Sequence, residues 1–146
     1  MKIIYSILVL FTIIGCNTQT PYKVDIYVTN TVYITTFYDI TPEAFDKGQF
    51  SFSRDTITLF DYCDAKEICK LEKIIDNLPL ASEGINSLDT RGKIIFYYAK
   101  DIQIMYFDCF YLYKKTNNKY FELSNEFNTI IDDICHKRSR RKPFTF

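Results

Sequence analysis

The chain has 146 residues, 47% apolar and 25% charged, which predicts one globular domain and excludes an intrinsically disordered protein. Its net charge is zero, but five basic residues follow His136, so residues 16–136 carry 12 basic and 18 acidic side chains. An acidic body argues against nucleic acid as a partner, because phosphate binding requires a basic face. We expect the basic tail, residues 137–146, to be flexible, with a contact to anionic lipid or an acidic partner as the alternative.

The first segment is an apolar run over residues 3–14 that follows Lys2. It is shorter than the ~20 residues needed to span a bilayer, and it suits the apolar core of a signal peptide, residues 1–15. The run ends in the sequence IIGC at residues 13–16, which resembles the lipobox of bacterial lipoproteins except at its first position, where leucine is commonest. The resemblance implies that the Cys16 thiol receives diacylglycerol and that its amino group is acylated after cleavage.

Acylation of Cys16 would place the protein in the bacterial cell envelope, at the outer membrane or cell surface rather than the cytoplasmic membrane. Two or more acyl chains hold a protein stably on a bilayer. Residues 16–23 would form a polar tether, which Pro21 keeps from becoming helical, and one domain would follow over residues 24–136. An ordinary leader with an incidental cysteine is the alternative. The content of Asn, Lys, Ile, Tyr and Phe is also similar to that of small lipoproteins of the Bacteroidota.

Four further cysteines are even in number, which in an exported chain indicates disulfides. Of three possible connectivities we favour Cys63–Cys69, because these two are close in sequence and flank a predicted helix start. Cys109–Cys135 would then join the sheet to the last helix. The spacing is not that of a zinc site, and we predict no metal and no cofactor. Four reduced, buried thiols are the alternative.

Residues 23–38 alternate with period two, which predicts a strand with one buried face and one wet face. We interpret the segment as one long strand, with a hairpin turn at residues 29–31 as the alternative. The buried face would hold Val24, Ile26, Val28, Val32 and Ile34. The wet face would hold Tyr27, Thr29, Thr31, Tyr33 and Thr35.

Capping residues mark the helices. Thr41 followed by Pro42 begins a short helix that ends by Gly48. Asp64 and Glu67 form a capping box, and apolar residues at helical spacing continue to Pro79, which ends the second helix. The expected buried stripe of that helix is Ile68, Leu71, Ile75 and Leu78. The third helix follows Ser124, with the stripe Phe127, Ile130, Ile131, Ile134 and Cys135.

Short strands are predicted over residues 56–60, 93–98, 102–107, 110–113 and 119–123. The strands over residues 93–98 and 102–107 are apolar on both faces, as in a covered sheet. The last four predicted strands are joined by short turns, so they should be antiparallel. The predicted fold is therefore α+β, a mostly antiparallel curved sheet of about five strands with two helices packed on one face.

No catalytic signature is present. His136 is the one histidine, and we interpret it as a favourable charge at a helix C-terminus, so that no side chain is predicted to be catalytic. Asp89 and Arg91 before the third strand are interpreted as a turn residue and a solvated arginine. The alternative is a charged hydrogen bond that locks the loop.

The tyrosines are the most promising feature, because protein interfaces are enriched in them. The interaction candidates are Tyr27, Tyr33, Tyr97, Tyr111 and Tyr113. Tyrosines that simply replace leucine in a core are the alternative. The sequence thus favours a membrane-anchored protein-binding module, one version being an immunity or inhibitor protein. A small-ligand carrier or an envelope enzyme with an unidentified site is the alternative, and a structural envelope component is a third.

Overall fold

The computed structural model describes residues 20–29, 39–49, 57–62, 64–85 and 87–137. Over these residues the chain forms six strands and three helices. In chain order they are β1 (Lys23–Thr29), α1 (Pro42–Asp46), β2 (Ile57–Tyr62), α2 (Ala65–Asp76), β3 (Gly92–Tyr97), β4 (Ile102–Phe107), β5 (Tyr111–Lys114), β6 (Lys119–Glu122) and α3 (Asn125–Lys137).

The six strands form one sheet in the order β2-β1-β3-β4-β5-β6, and every neighbouring pair is antiparallel. The predicted α+β class is confirmed, with six strands where about five were expected. Strands β3 to β6 are consecutive and joined by short turns. In the β5–β6 turn Asn118 has a φ of 55°, a left-handed conformation that asparagine tolerates better than most residues.

Strand β1 lies between β2 and β3 and ends at Thr29. Residues 30–38 lie outside the described residues, so the long strand and the hairpin both stay untested. The predicted buried face is confirmed for Val24, Ile26 and Val28. Thr29 was expected to be wet, but its side chain is buried. Its N–H donates to the carbonyl oxygen of Arg91 at 2.9 Å, so the end of β1 is paired with the loop that enters β3.

Helices α2 and α3 pack on one face of the sheet, as predicted, and we call it the helix face. One carboxylate oxygen of Asp64 accepts the N–H groups of Lys66 and Glu67 at 2.9 and 3.3 Å, and the Ser124 hydroxyl accepts that of Phe127 at 3.1 Å. These bonds satisfy N–H groups that a helix start leaves open. The core on this face includes Ile26, Ile68, Leu71, Ile75, Ile94, Phe96, Phe107, Leu112, Phe127 and Ile131.

The start of β3 needs a glycine for steric reasons. Gly92 lies directly opposite Phe107 in the β3–β4 register, and a Cβ atom at position 92 would overlap the Phe107 ring. The ring therefore occupies the volume that a side chain would fill. It meets the Phe127 ring in a T-shaped arrangement with the centroids 5.4 Å apart, a favourable geometry for two aromatic rings.

Helix α1 packs on the opposite face of the sheet. The Thr41 hydroxyl accepts the N–H of Ala44 at 3.2 Å, and Gly48 ends the helical turns with a φ of 63°. Phe45 and Ile40 are buried and pack against Tyr27 of β1. A second, smaller apolar cluster thus covers part of the face that α2 and α3 leave open.

The segment after α2 runs along the edge of β6. The N–H of Ala81 donates to the carbonyl oxygen of Tyr120 at 3.0 Å, and the N–H of Glu122 donates to that of Pro79 at 2.9 Å. Backbone pairing of this kind protects a strand edge that would otherwise be open to other chains.

The sheet begins within the segment that was assigned to the tether. The N–H of Tyr22 donates to the carbonyl oxygen of Tyr97 at 2.9 Å, and β1 begins at Lys23, so the last two residues assigned to the tether already join the sheet. The predicted leader and Cys16 lie outside the described residues, as does the tail beyond Lys137. No helix in the described ranges is long and apolar enough to span a bilayer.

Candidate interaction surface

The face of the sheet opposite α2 and α3 carries most of the predicted interaction residues, and we call it the tyrosine face. Alternate residues of a strand share a face, and the strand registers place Tyr27, Tyr97, Tyr111 and Tyr113 together there. All four are half-buried. Tyr33 lies outside the described residues. The sequence interpretation therefore selected tyrosines that the fold brings to one side of the sheet.

Three tyrosines form a continuous row across β4, β5 and β6, and we call it the tyrosine row. Tyr106 lies opposite Tyr113, and Tyr113 opposite Tyr120. The ring centroids are 6.4 Å apart in the first pair and 5.0 Å in the second, within the range of favourable ring contacts. Sequence reasoning missed Tyr106 and Tyr120. The predicted turn at residues 116–118 fixes the register of the strands on either side, so it could have indicated that Tyr120 lies opposite Tyr113.

The inner end of the tyrosine row is anchored to α1. The Tyr106 hydroxyl donates to one carboxylate oxygen of Asp46 at 2.7 Å, and the Lys93 ammonium donates to the other at 2.6 Å. That ammonium also lies 5.5 Å from the centre of the Tyr106 ring. Burial, and then the hydrogen bond to Asp46, raise the pKa of Tyr106 above its ordinary value. The hydroxyl therefore stays a donor that fixes α1 to the sheet.

The other tyrosines of this face have different surroundings. Tyr113 donates its hydroxyl to the Asn118 side chain at 3.0 Å, which ties the row to the β5–β6 turn. Tyr27 packs under α1, and burial is the main cause that raises its pKa. Part of the tyrosine face is thus internal, whereas Tyr111, Tyr113 and Tyr120 are half-buried.

Tyr97 lies at the end of the sheet where β1 begins. Its hydroxyl donates to the buried carboxylate of Asp25 at 2.8 Å, and the Lys23 ammonium lies 3.0 Å from the same carboxylate. Burial, followed by the bond to Asp25, raises the pKa of Tyr97 to about 12. Tyr98, the next residue, points to the helix face and donates to Glu72 of α2 at 2.7 Å.

The prediction of a solvated arginine is wrong. The Arg91 side chain is 1% exposed, and its guanidinium donates to the Asp89 carboxylate at 2.6 Å. The other oxygen of Asp89 accepts the N–H of Ile40 at 3.0 Å, and Thr90 donates its N–H to the carbonyl oxygen of Ile40 at 2.7 Å. The alternative interpretation holds, because a buried arginine requires a charged partner. The pair locks the loop before β3 against Ile40, two residues before α1.

The two predicted disulfides are not tested by the described residues. Cys69 has a free thiol, Cys63 lies outside the described residues, and the pair stays a prediction. The Cys135 side chain also lies outside them, as does that of His136, so Cys109–Cys135 is untested. Burial, and then the neighbouring Asp108, raise the pKa of the Cys109 thiol. That thiol is therefore held in its protonated, less reactive form.

A surface groove of about 460 Å³ runs along α2 to the start of α3. The groove is lined by three lysines of α2, which are Lys66, Lys70 and Lys73. The Cys69 thiol, two apolar side chains and Glu126 also line it. Its charge would favour an anionic group. Within the described ranges, no three His, Cys, Asp or Glu side chains are grouped as a metal site requires.

Comparison with protein-family models, with curated proteins and with solved structures finds no match to this chain. The arrangement of side chains is therefore the basis for a functional assignment. A row of fixed aromatic rings, partly open to solvent, is suited to contact with another macromolecule.

Proposed function

We propose that this protein is a lipid-anchored protein of the bacterial envelope that binds another protein through the tyrosine face. The outer part of the tyrosine row carries this proposal, because the half-buried rings of Tyr113 and Tyr120 lie side by side on neighbouring strands of a rigid sheet. Tyr106 is buried and packs beside Tyr113. One version is an immunity or inhibitor protein that covers a toxin or hydrolase. The acidic body makes a protein partner more suitable than nucleic acid.

The geometry lowers the cost of binding. Ordering a flexible side chain at an interface costs about 0.5–1.5 kcal/mol, whereas Tyr113 is already held by its hydrogen bond to Asn118. A tyrosine fixed in this way offers apolar ring area with little entropy left to lose. Rigid aromatic anchors of this type dominate the affinity of many interfaces.

The anchor is supported by the lipobox-like sequence that ends at Cys16. Cells grown with labelled palmitate should yield a labelled protein of the size left after removal of residues 1–15. The Cys16→Ser variant should stay unlabelled and keep its leader. A wild-type chain without label, or a variant that matches it in size and membrane binding, would contradict the anchor.

Binding is tested with a photoreactive phenylalanine at position 113 or 120, introduced in living cells. We expect one crosslinked partner, with its yield reduced when Tyr111 is also changed to serine. The same probe at Glu67, exposed on α2, is the matched control on the opposite side of the sheet. If positions 113 and 120 give no product that position 67 lacks, under several growth conditions, the binding function is wrong.

The immunity or inhibitor version makes a narrower claim. A crosslinked partner of that kind would be an enzyme or a toxin, and the purified chain should lower its activity at an equimolar ratio. If the partner keeps full activity in the complex, the binding function stands and the inhibitory role is wrong.

A further inference from the structure

Aromatic and aliphatic side chains meet at the end of the sheet where the chain enters β1. The Tyr22 side chain is 64% exposed and that of Ile102 is 49% exposed. The rings of Tyr22 and Tyr97 have centroids 6.4 Å apart, and Tyr97 is the direct partner of Ile102 in the β3–β4 register. We call these three residues the entry rim, because they form one continuous surface beside the incoming chain.

The backbone fixes the entry rim close to the proposed anchor. The hydrogen bond from the N–H of Tyr22 to Tyr97 holds the chain against β3. Tyr22 follows Cys16 by six residues, and six extended residues reach at most about 20 Å. An acylated Cys16 would therefore keep the entry rim within that distance of the lipid.

The chemistry of the entry rim suits a membrane interface. Tyrosine is enriched where a protein meets the headgroup region of a bilayer, since its ring is apolar and its hydroxyl is polar. The Lys23 ammonium lies 4.9 Å from the centre of the Tyr97 ring, and Lys100 is exposed in the turn between β3 and β4. Lysine side chains extend along apolar surface towards water and are attracted by anionic lipids.

We infer that the entry rim lies against the lipid surface, with Tyr22 and Ile102 at the level of the headgroups. This inference rests on the acylation of Cys16 proposed above, and it identifies a second contact between the protein and the same membrane. It also orients the domain. The β4–β5 turn, with Phe110 59% exposed, lies at the opposite end of the strands, about 20 Å away for six residues of strand.

The chain contains no tryptophan, so a single introduced tryptophan is a specific fluorescent probe. Tyr22→Trp and Ile102→Trp are compared with Phe110→Trp, the matched control at the far end of the sheet. Each acylated, leader-free chain is reconstituted in vesicles of phosphatidylethanolamine and phosphatidylglycerol, with and without lipids brominated near the headgroup. We expect the first two variants to be quenched several-fold more than Phe110→Trp. All three positions are exposed, and circular dichroism checks that each variant is folded.

Similar quenching at all three positions, or none at any, would overturn the inference. A tryptophan at position 22 that emits at shorter wavelength but resists brominated lipid would mean that a second copy of the chain covers the entry rim, which also overturns it. The mass of each purified chain is measured first. A chain without acyl groups refutes the anchor, and the inference with it, whereas an acylated chain with an unquenched entry rim refutes the inference alone.

Discussion

The two faces of the sheet are stabilised by different means. On the helix face, aliphatic and phenylalanine side chains such as Ile26, Ile94 and Phe127 are fully buried against α2 and α3. On the tyrosine face, hydroxyl and ammonium groups reach the carboxylates of Asp25 and Asp46. The helix face therefore depends on volume and packing, whereas the tyrosine face depends on directed polar contacts.

Under the proposed function, this difference would let one sheet serve as both a scaffold and a binding surface. Removal of apolar area from water drives the packing of the helix face and has no preferred direction. Hydrogen bonds to carboxylates hold Tyr106 and Tyr97 in place, and the Tyr97 ring stays partly accessible while that of Tyr106 is buried. Under the binding function proposed above, such a face would need little reorganisation to contact a partner.

The largest effect is expected at the buried ion pair beneath the tyrosine face. Arg91→Leu leaves the Asp89 carboxylate buried without its guanidinium, and we expect a loss of about 3–5 kcal/mol in the free energy of unfolding. Urea denaturation of the full chain measures it. The double variant Asp89→Asn/Arg91→Leu removes both charges but keeps an oxygen for the N–H of Ile40, so part of the loss should return. A single variant as stable as the double variant would show that charge pairing does not hold this loop.

A smaller effect separates the two faces directly. Tyr106→Phe removes the bond to Asp46, and Tyr98→Phe removes the corresponding bond to Glu72 on the helix face. We expect the free energy of unfolding to fall by about 1.5 kcal/mol in Tyr106→Phe and by about 1 kcal/mol in Tyr98→Phe, because Tyr106 is the more buried of the two. Hydrogen exchange gives a sharper comparison: Tyr106→Phe should accelerate exchange of the Phe45 and Gln49 amides in and after α1, and Tyr98→Phe should not. Equal exchange in both variants would contradict the anchoring of α1 by Tyr106.

The smallest effect is one of pH. The pKa of Tyr97 is raised from 10.0 to about 12, so the folded chain binds this proton more tightly than the unfolded chain does. Its contribution to stability is fully present below pH 10 and is lost as the pH rises through about 12. Tyrosinate absorbance at 295 nm follows the ionisation. The Tyr97→Phe variant should show one fewer tyrosine that ionises late, and its free energy of unfolding should fall less than that of the wild type between pH 10 and about 12. A titration curve identical to that of the wild type would mean that Tyr97 is solvated and contradict the prediction.

Local signals predicted much of the fold. The helices are capped by the expected residues, Thr41, Asp64 and Ser124. These caps can be predicted from the sequence because capping involves residues only two or three positions apart. The turns between β3 and β6 were located for the same reason. Arg91 was misjudged, since its burial comes from the packing of the loop onto Ile40, and nothing within a few residues of Arg91 indicates that contact.

Over the described residues, the sequence by itself indicated which segments are helix or strand and which side of α2 and of α3 faces the core. Those properties depend on periodicity and on neighbours along the chain. Only the tertiary structure decided that β1 lies between β2 and β3 and that Tyr106, Tyr113 and Tyr120 form one row. It also joined Tyr106 to Asp46, 60 residues away. Contacts over such separations follow from strand register and chain closure, which local patterns do not contain.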